Sequence, residues 1–150
     1  MFRKYRFQFA AILTFAFVLL PMAFAADTPT SEKGIVVVDP IKAKSLMDGG
    51  VLVVDARVAN EYAEAHIKGA KSIPYKEKSA KAADFDASQD SFDLTKLTAS
   101  KAAPVIFYCN GTECWKSYKA SVVSVRAGYT KVYWLRTGIP DWKSKGLPIE

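Results

Sequence analysis

The chain has 150 residues, of which 50% are hydrophobic and 24% are charged, so we expect one domain with a real core and exclude global disorder. The formal net charge of +6 includes three cations in residues 1–25, and without that segment it is +3. A charge this small gives no reason to expect nucleic-acid binding. It suits a small anionic substrate, drawn by a local field.

The first 25 residues have the layout of a secretory signal peptide. Three basic residues precede an apolar run, and residues 23–25 form a small-x-small cleavage pattern. The segment is almost long enough to span a bilayer, so an uncleaved anchor is the alternative. We expect cleavage after Ala25, export to the periplasm, and no stable membrane insertion of the mature chain. Disulfides persist in such a compartment.

Strand and helix patterns alternate along the rest of the chain. Polar residues 26–33 are expected to be a flexible mature N-terminus, followed by a single domain over residues 34–150. Continuous apolar runs predict buried parallel strands, and helical spacing ended by glycine predicts helices. The predicted order is strand 34–38, helix 40–48, strand 51–54, helix 59–67, strand within 69–74, strand 104–108, helix 115–127, strand 129–135 and helix 140–146. This order predicts an α/β fold with a parallel sheet covered by helices.

Residues 76–101 interrupt this alternation. They are polar, with one short helix expected near residues 93–98, and four large apolar side chains are the expected anchors: Phe85, Phe92, Leu94 and Leu97. A loop this long in a compact domain tends to be functional or mobile. A lid or partner contact is one interpretation, and a family-specific insertion is the other.

The only two cysteines, Cys109 and Cys114, lie on one turn after the strand 104–108. In parallel sheets ligands bind at the carboxyl ends of strands, where this turn and residues 55–57 both begin. Such a turn points several backbone N–H groups at one place, and the following helix N-terminus adds partial positive charge. A thiolate is stabilised there, so Cys109 is the predicted nucleophile and needs no histidine base.

The residues around Cys109 complete the predicted site. Asp55 is expected to be a loop-fixing acceptor, and Arg57 either bonds the loop or an anionic donor, or forms a surface ion pair. Lys119, with Lys116, is expected to attract an anionic substrate. The predicted substrate- and persulfide-binding loop consists of Asn110, Gly111, Thr112, Glu113, Cys114, Trp115 and Lys116.

Cys114 has two interpretations. It lies five residues from Cys109 across a turn, within reach of a disulfide, as a resolving thiol or as half of a resting pair. It is otherwise a small buried residue on the inner face of the helix. His66, the only histidine, is expected to be structural because no third group orients it toward a thiol. No metal or cofactor is expected, since two Cys and one His cannot complete a four-ligand zinc site.

Three segments resemble the rhodanese domain family. Residues 51–74 contain Asp-x-Arg, Glu-Tyr, His-Ile-x-Gly-Ala and a proline; residues 105–121 contain the strand, cysteine loop and helix; residues 132–150 contain Leu-x-x-Gly, a Trp and Gly-x-Pro. The resemblance spans essentially residues 35–150 and implies a five-stranded parallel sheet and sulfur transfer. It implies that Cys109 takes sulfur from a small anionic donor such as thiosulfate, as a persulfide, and passes it to a thiol or cyanide acceptor.

Two features stay open at this point. If the helix begins at Lys116, the loop is longer than is usual in the family, as in related phosphatases and arsenate reductases; if it begins at Trp115, the loop has the ordinary six residues. Those relatives also end the loop with an arginine, which this loop lacks, so phosphate or arsenate chemistry is disfavoured. The main alternative to a sulfurtransferase is a non-catalytic or thiol-redox module with a Cys109–Cys114 disulfide.

Overall fold

The structure, a computed structural model, describes residues 26–98 and 100–150. The predicted signal peptide, residues 1–25, lies outside them. Strands and helices alternate in the predicted order: β1 (Ile35–Val37), α1 (Pro40–Asp48), β2 (Leu52–Asp55), α2 (Ala59–Glu64), β3 (Lys71–Ser72), β4 (Val105–Tyr108), α3 (Trp115–Arg126), β5 (Val132–Leu135) and α4 (Gly138–Ser144). None of the helices in this described part is long and apolar enough to cross a membrane.

The five strands form one parallel sheet in the order β1-β5-β4-β2-β3. The central strand, β4, is buried along its whole length. Its last residue, Tyr108, is in register with Asp55, the last residue of β2. The chain segments that leave these two strands therefore start side by side at the carboxyl edge of the sheet, where the sequence placed the candidate site.

Helices cover both faces of the sheet, as predicted. Val54 and Phe107 point to a core shared with α3, whereas Val53 and Ile106 point to the core under α1 and α4. Because successive side chains of a strand face opposite sides, a strand that is covered on both sides needs apolar residues without alternation. This explains the solid apolar runs of β2 and β4.

The segment of residues 76–98 packs on the α3 side of the sheet. Phe85 and Leu97 are buried there, as expected for anchors, and Phe92 and Leu94 are partly buried against the same core. The helix predicted near residues 93–98 is a single 3-10 turn, Leu94–Lys96, and a second such turn, Ala87–Gln89, was not predicted. Each turn is capped by an aspartate side chain, which closes a short turn but supports no longer helix.

Lys119 holds this segment and does not face a substrate, which corrects the sequence-based expectation. It is fully buried on α3. Its Nζ lies 2.8 Å from Ser79 Oγ, 3.0 Å from a carboxylate oxygen of Glu77 and 3.7 Å from one of Asp90. The two acids offset its charge, because a buried ammonium requires such partners. Lys119 therefore fastens residues 77–90 to α3.

Candidate active site

The sulfur of Cys109 lies beside the buried hydroxyl of Ser117. Cys109 directly follows β4 and is 1% exposed. Its Sγ is 2.9 Å from Oγ of Ser117, in the first turn of α3. The indole Nε1 of Trp134, which can only donate, is 2.9 Å from the same oxygen. Because a sulfur in a disulfide or a thiolate carries no proton, Ser117 is the donor of the contact with Cys109 in both of these forms, and the contact stabilises the thiolate.

Cys109 and Cys114 are joined by a disulfide, with their Cα atoms 6.2 Å apart. Of the two interpretations of Cys114, this is the paired one. Cys114 is the N-cap residue of α3 and is partly exposed, whereas Cys109 is buried. The two residues of the bond thus differ in their access to solvent.

The active loop, defined as Cys109 to Cys114, has six residues because α3 begins at Trp115. Of the two lengths left open by the sequence, it has the shorter. Gly111 takes a positive φ of +122°, which glycine adopts readily, and its carbonyl accepts from the Cys114 N–H at 3.1 Å. This site therefore lacks the enlarged loop of the related phosphatases and arsenate reductases.

The turn between β5 and α4 supports the active loop by direct backbone contact. Gly138 has φ +65°, and a Cβ there would overlap the carbonyl oxygen of Cys109 and lie 2.6 Å from the amide nitrogen of Gly111. The next residue, Ile139, donates its N–H to that same carbonyl at 3.0 Å. Only glycine permits both the positive φ and so close an approach. The sequence marked Gly138 as a signature residue but did not indicate this contact.

Asp55 and Arg57 form a buried ion pair behind the loop. Asp55 accepts from Nε and Nη2 of Arg57, the latter at 2.6 Å, and from the Tyr108 hydroxyl at 2.6 Å. Arg57 is 5% exposed, and its Nη1 is 3.4 Å from the side-chain oxygen of Asn110. The loop contact predicted for Arg57 is therefore present, and the surface ion pair is wrong. Burial, together with the charge of Asp55, raises the pKa of Tyr108 far above its ordinary value, so its phenol stays a donor.

Residues 26–33, which the sequence predicts to be a flexible N-terminus, contact the active loop and its neighbours. Thr28 is 2% exposed, and its N–H and Oγ1 both donate to the carbonyl of Thr112, at 2.8 and 2.7 Å. Arg136 donates to two carbonyl oxygens of the segment, and the indole of Trp115 donates to a third. Most of the acceptors in these contacts are backbone carbonyl groups. Every residue has one, so the polar composition of the segment does not indicate which of them form these hydrogen bonds.

A cleft of about 280 Å³ opens beside the loop. Cys109 does not line this cleft. The wall consists of residues from the active loop, from α3 and from the segment of residues 76–98: Glu77, Lys81, Asn110, Glu113, Cys114, Trp115 and Lys116. Lys81 and Lys116 bring positive charge to this wall and Glu113 brings negative charge, while Glu77 is engaged by Lys119. The predicted residue Thr112 faces residues 26–33 instead. The contribution of Lys81 and Glu77 was not predicted, because only the folded chain brings them near the cysteines.

Other charged groups near the site are engaged in structural contacts. His66 stacks on Tyr62 and binds its carbonyl through Nδ1 at 2.8 Å, while Nε2 is 3.3 Å from the Glu150 carboxylate, so its predicted structural role fits. The guanidinium groups of Arg57 and Arg136 both donate to acceptors within the protein. Neither is therefore placed to bind a substrate oxyanion in the bidentate manner of an oxyanion enzyme. Within residues 26–98 and 100–150, no group of three or more His, Cys, Asp or Glu side chains is placed to hold a metal ion.

A buried cysteine at the end of the central strand of a parallel sheet, on a short loop that leads into a helix, defines a class of α/β cysteine-loop domains. Within that class the chain belongs to the rhodanese-like domain family, whose model matches residues 39–145.

Several known proteins are similar to this chain in sequence or in fold. The chain is 29% identical over 102 residues to an HTH-type transcriptional regulator of Mycobacterium tuberculosis, a match that covers 68% of this chain and 38% of that protein. It spans 38% and 56% of the lengths of the two curated relatives it matches. The crystal structure of the BH2092 protein from Bacillus halodurans is similar at 27% identity and a TM-score of 0.57, over 77% of this chain and 76% of that one. A thiosulfate sulfurtransferase from Pseudomonas aeruginosa shares the fold at 22% identity and a TM-score of 0.56, over 77% of this chain and 20% of that one.

Proposed function

We propose that the chain is a sulfurtransferase in which Cys109 carries a sulfane sulfur as a persulfide. The observation that carries this proposal is the placement of Cys109 Sγ, 2.9 Å from the Ser117 hydroxyl and beside the first turn of α3. Both features stabilise negative charge on sulfur, as a thiolate and as a persulfide anion. Membership of the rhodanese-like family supports the same class of chemistry.

The reaction begins from the reduced protein, because a sulfur in a disulfide is not a nucleophile. The Cys109 thiolate attacks the outer sulfur of thiosulfate, the S–S bond of the donor breaks, and sulfite leaves with the bonding electron pair. An acceptor thiolate or cyanide then attacks the outer sulfur of the persulfide, and Cys109 leaves as the thiolate. Lys81 and Lys116 in the wall of the cleft attract an anionic donor, and the carboxylate of Glu113 in the same wall opposes them.

A thiocyanate assay tests this proposal with matched variants. Reduced wild-type protein supplied with thiosulfate and cyanide is expected to form thiocyanate, and Cys109→Ser is expected to fall to the uncatalysed rate. Cys114→Ser is the matched control, since it removes the other thiol of the same loop and is expected to remain active. Thiocyanate formation that survives in Cys109→Ser would refute Cys109 as the carrier.

The disulfide favours a second candidate, a thiol-redox module that exchanges its Cys109–Cys114 bond with other dithiols and transfers no sulfur. The same assay separates the two candidates. A redox module forms no thiocyanate with wild-type protein, but it oxidises a dithiol at a rate that either cysteine substitution abolishes.

We also propose that the chain is exported after cleavage behind Ala25, on the pattern of residues 1–25. N-terminal sequencing of the protein from its native compartment is expected to begin at Ala26. A sequence that begins at Met1 would contradict cleavage.

A further inference from the structure

The disulfide between Cys109 and Cys114 bears on the fate of the carried sulfur. We propose that Cys114 resolves the Cys109 persulfide, so that the domain releases hydrosulfide and ends its turnover as the observed disulfide. This inference rests on the proposed function and deepens it, because it assigns the acceptor thiol to the chain itself and assigns the reductant to an external dithiol.

The structure supports this step because the disulfide joins the two sulfur atoms that the step brings together. The Cys114 sulfur reaches Cys109 Sγ, which is the inner sulfur of a persulfide on that residue. When the Cys114 sulfur attacks that inner sulfur, the Sγ–Sγ bond forms and the bond to the outer sulfur breaks. The proton that the Cys114 thiol gives up passes to the outer sulfur, which leaves as HS⁻. One persulfide anion and one thiol give one disulfide and one hydrosulfide, so atoms and charge balance.

The unequal exposure of Cys109 and Cys114 predicts how the disulfide is reduced. Cys114 lines the cleft and is partly exposed, whereas Cys109 is 1% exposed. Thiol–disulfide exchange proceeds at the sulfur that a thiolate can reach, and faster when the leaving thiolate is stabilised. An incoming thiolate therefore attacks Cys114, and Cys109 leaves as a thiolate that receives the Ser117 hydrogen bond.

The full cycle is a reduction of sulfane sulfur by thiols. Thiosulfate and two thiol groups give sulfite, hydrogen sulfide and one disulfide. The two electrons come from the external dithiol, and the Cys109–Cys114 pair relays them. A small dithiol or a protein with an exposed pair of thiols satisfies this chemistry.

A single-turnover experiment without added reductant tests the proposal. Wild-type protein is reduced, freed of reductant under anaerobic conditions and given one equivalent of thiosulfate. We expect one sulfite and one sulfide per chain, loss of both free thiols, and the intact mass of the disulfide form. Cys114→Ser is expected to release the sulfite but to keep the added sulfur until cyanide removes it, with no sulfide.

The outcomes separate this proposal from the proposed function. If wild-type protein releases sulfite but keeps its added sulfur as long as Cys114→Ser does, the resolving role is overturned and the sulfurtransferase stands. If neither protein releases sulfite, the proposed function falls and this proposal with it.

A second measurement needs no cysteine variant. The oxidised wild-type protein is treated with glutathione, Cys109 is trapped with iodoacetamide as it is released, and the mixed disulfide is located by peptide mass spectrometry. We expect glutathione on Cys114 and the alkyl group on Cys109. Glutathione on Cys109 would overturn the assignment of Cys114 as the sulfur that the reductant attacks.

Discussion

The hydroxyl of Ser117 is the group whose removal is expected to affect both the reactivity of Cys109 and the stability of the fold. In Ser117→Ala the Cys109 sulfur loses its hydrogen-bond donor, and the Trp134 indole N–H, which is fully buried, loses its acceptor. Hydrogen bonds to charged groups contribute about 1.5–3 kcal/mol, and an orphaned buried donor costs about 1–3 kcal/mol. Where thiol and thiolate compete at neutral pH, a loss of about 1.5–3 kcal/mol from the thiolate lowers the thiolate fraction, and with it the rate, by roughly 10- to 150-fold.

Single-turnover sulfite release by the reduced protein, followed at neutral pH, measures the first effect, and urea unfolding measures the second. Ser124→Ala is the matched control, because Ser124 is equally buried on α3 but donates only to the carbonyl of Ala120 in its own helix. We expect this control to keep the wild-type rate and to lose little or no stability. A Ser117→Ala protein with the wild-type rate of sulfite release would refute the assigned direction of the Ser117 proton.

Three further predictions concern the support of the loop and the long segment. Gly138→Ala is expected to lower the free energy of unfolding by more than the ~1–3 kcal/mol of positive-φ strain alone, because the new Cβ also overlaps backbone; Gly146→Ala, at φ +66° in open space, isolates the strain. Arg57→Ala leaves Asp55 charged and buried, so urea unfolding is expected to show a loss of about 3–5 kcal/mol. Although burial alone raises the pKa of Asp90, hydrogen bonds from a serine and from backbone amides hold it well below its usual range. The contribution of the Asp90 carboxylate to stability is therefore complete above the unfolded pKa of about 4 and is lost as the pH falls further. Urea unfolding at a series of pH values is expected to show that acidification lowers the free energy of unfolding less in Asp90→Asn than in wild type.

Each of these predictions has an outcome that contradicts it. Equal destabilisation of the two glycine variants would remove the backbone clash from the explanation of Gly138. A stability within about 0.5 kcal/mol of wild type in Arg57→Ala would mean that Asp55 is not left as an uncompensated buried charge. If acidification lowers the free energy of unfolding of Asp90→Asn as steeply as that of wild type, another carboxylate governs acid unfolding.

The sheet and its helices could be predicted because local patterns determine them. Strands buried on both faces need apolar residues at every position, and β2 and β4 show this directly in sequence. The place of Cys109 followed from the same rule, since the carboxyl ends of adjacent parallel strands meet at one edge of the sheet.

The contacts made by distant parts of the chain could not be predicted in this way. Lys119 appeared to be a substrate-facing cation, and only the folded segment of residues 76–98 supplies the acids that neutralise it. Residues 26–33 appeared to be a tail, and carbonyl groups that bind Arg136 hold them in place. The hydroxyl of Ser117 contacts Cys109 and Trp134, which lie on different elements of the fold, and no local pattern in the sequence indicates these contacts.

The most direct test of a persulfide on Cys109 is the intact mass of reduced Cys114→Ser before and after thiosulfate, because this variant lacks the resolving thiol. We expect the mass to rise by one sulfur atom, to return to its starting value with cyanide, and to stay unchanged in the double variant Cys109→Ser/Cys114→Ser. An unchanged mass in Cys114→Ser, or the same gain in the double variant, would contradict Cys109 as the carrier of sulfur.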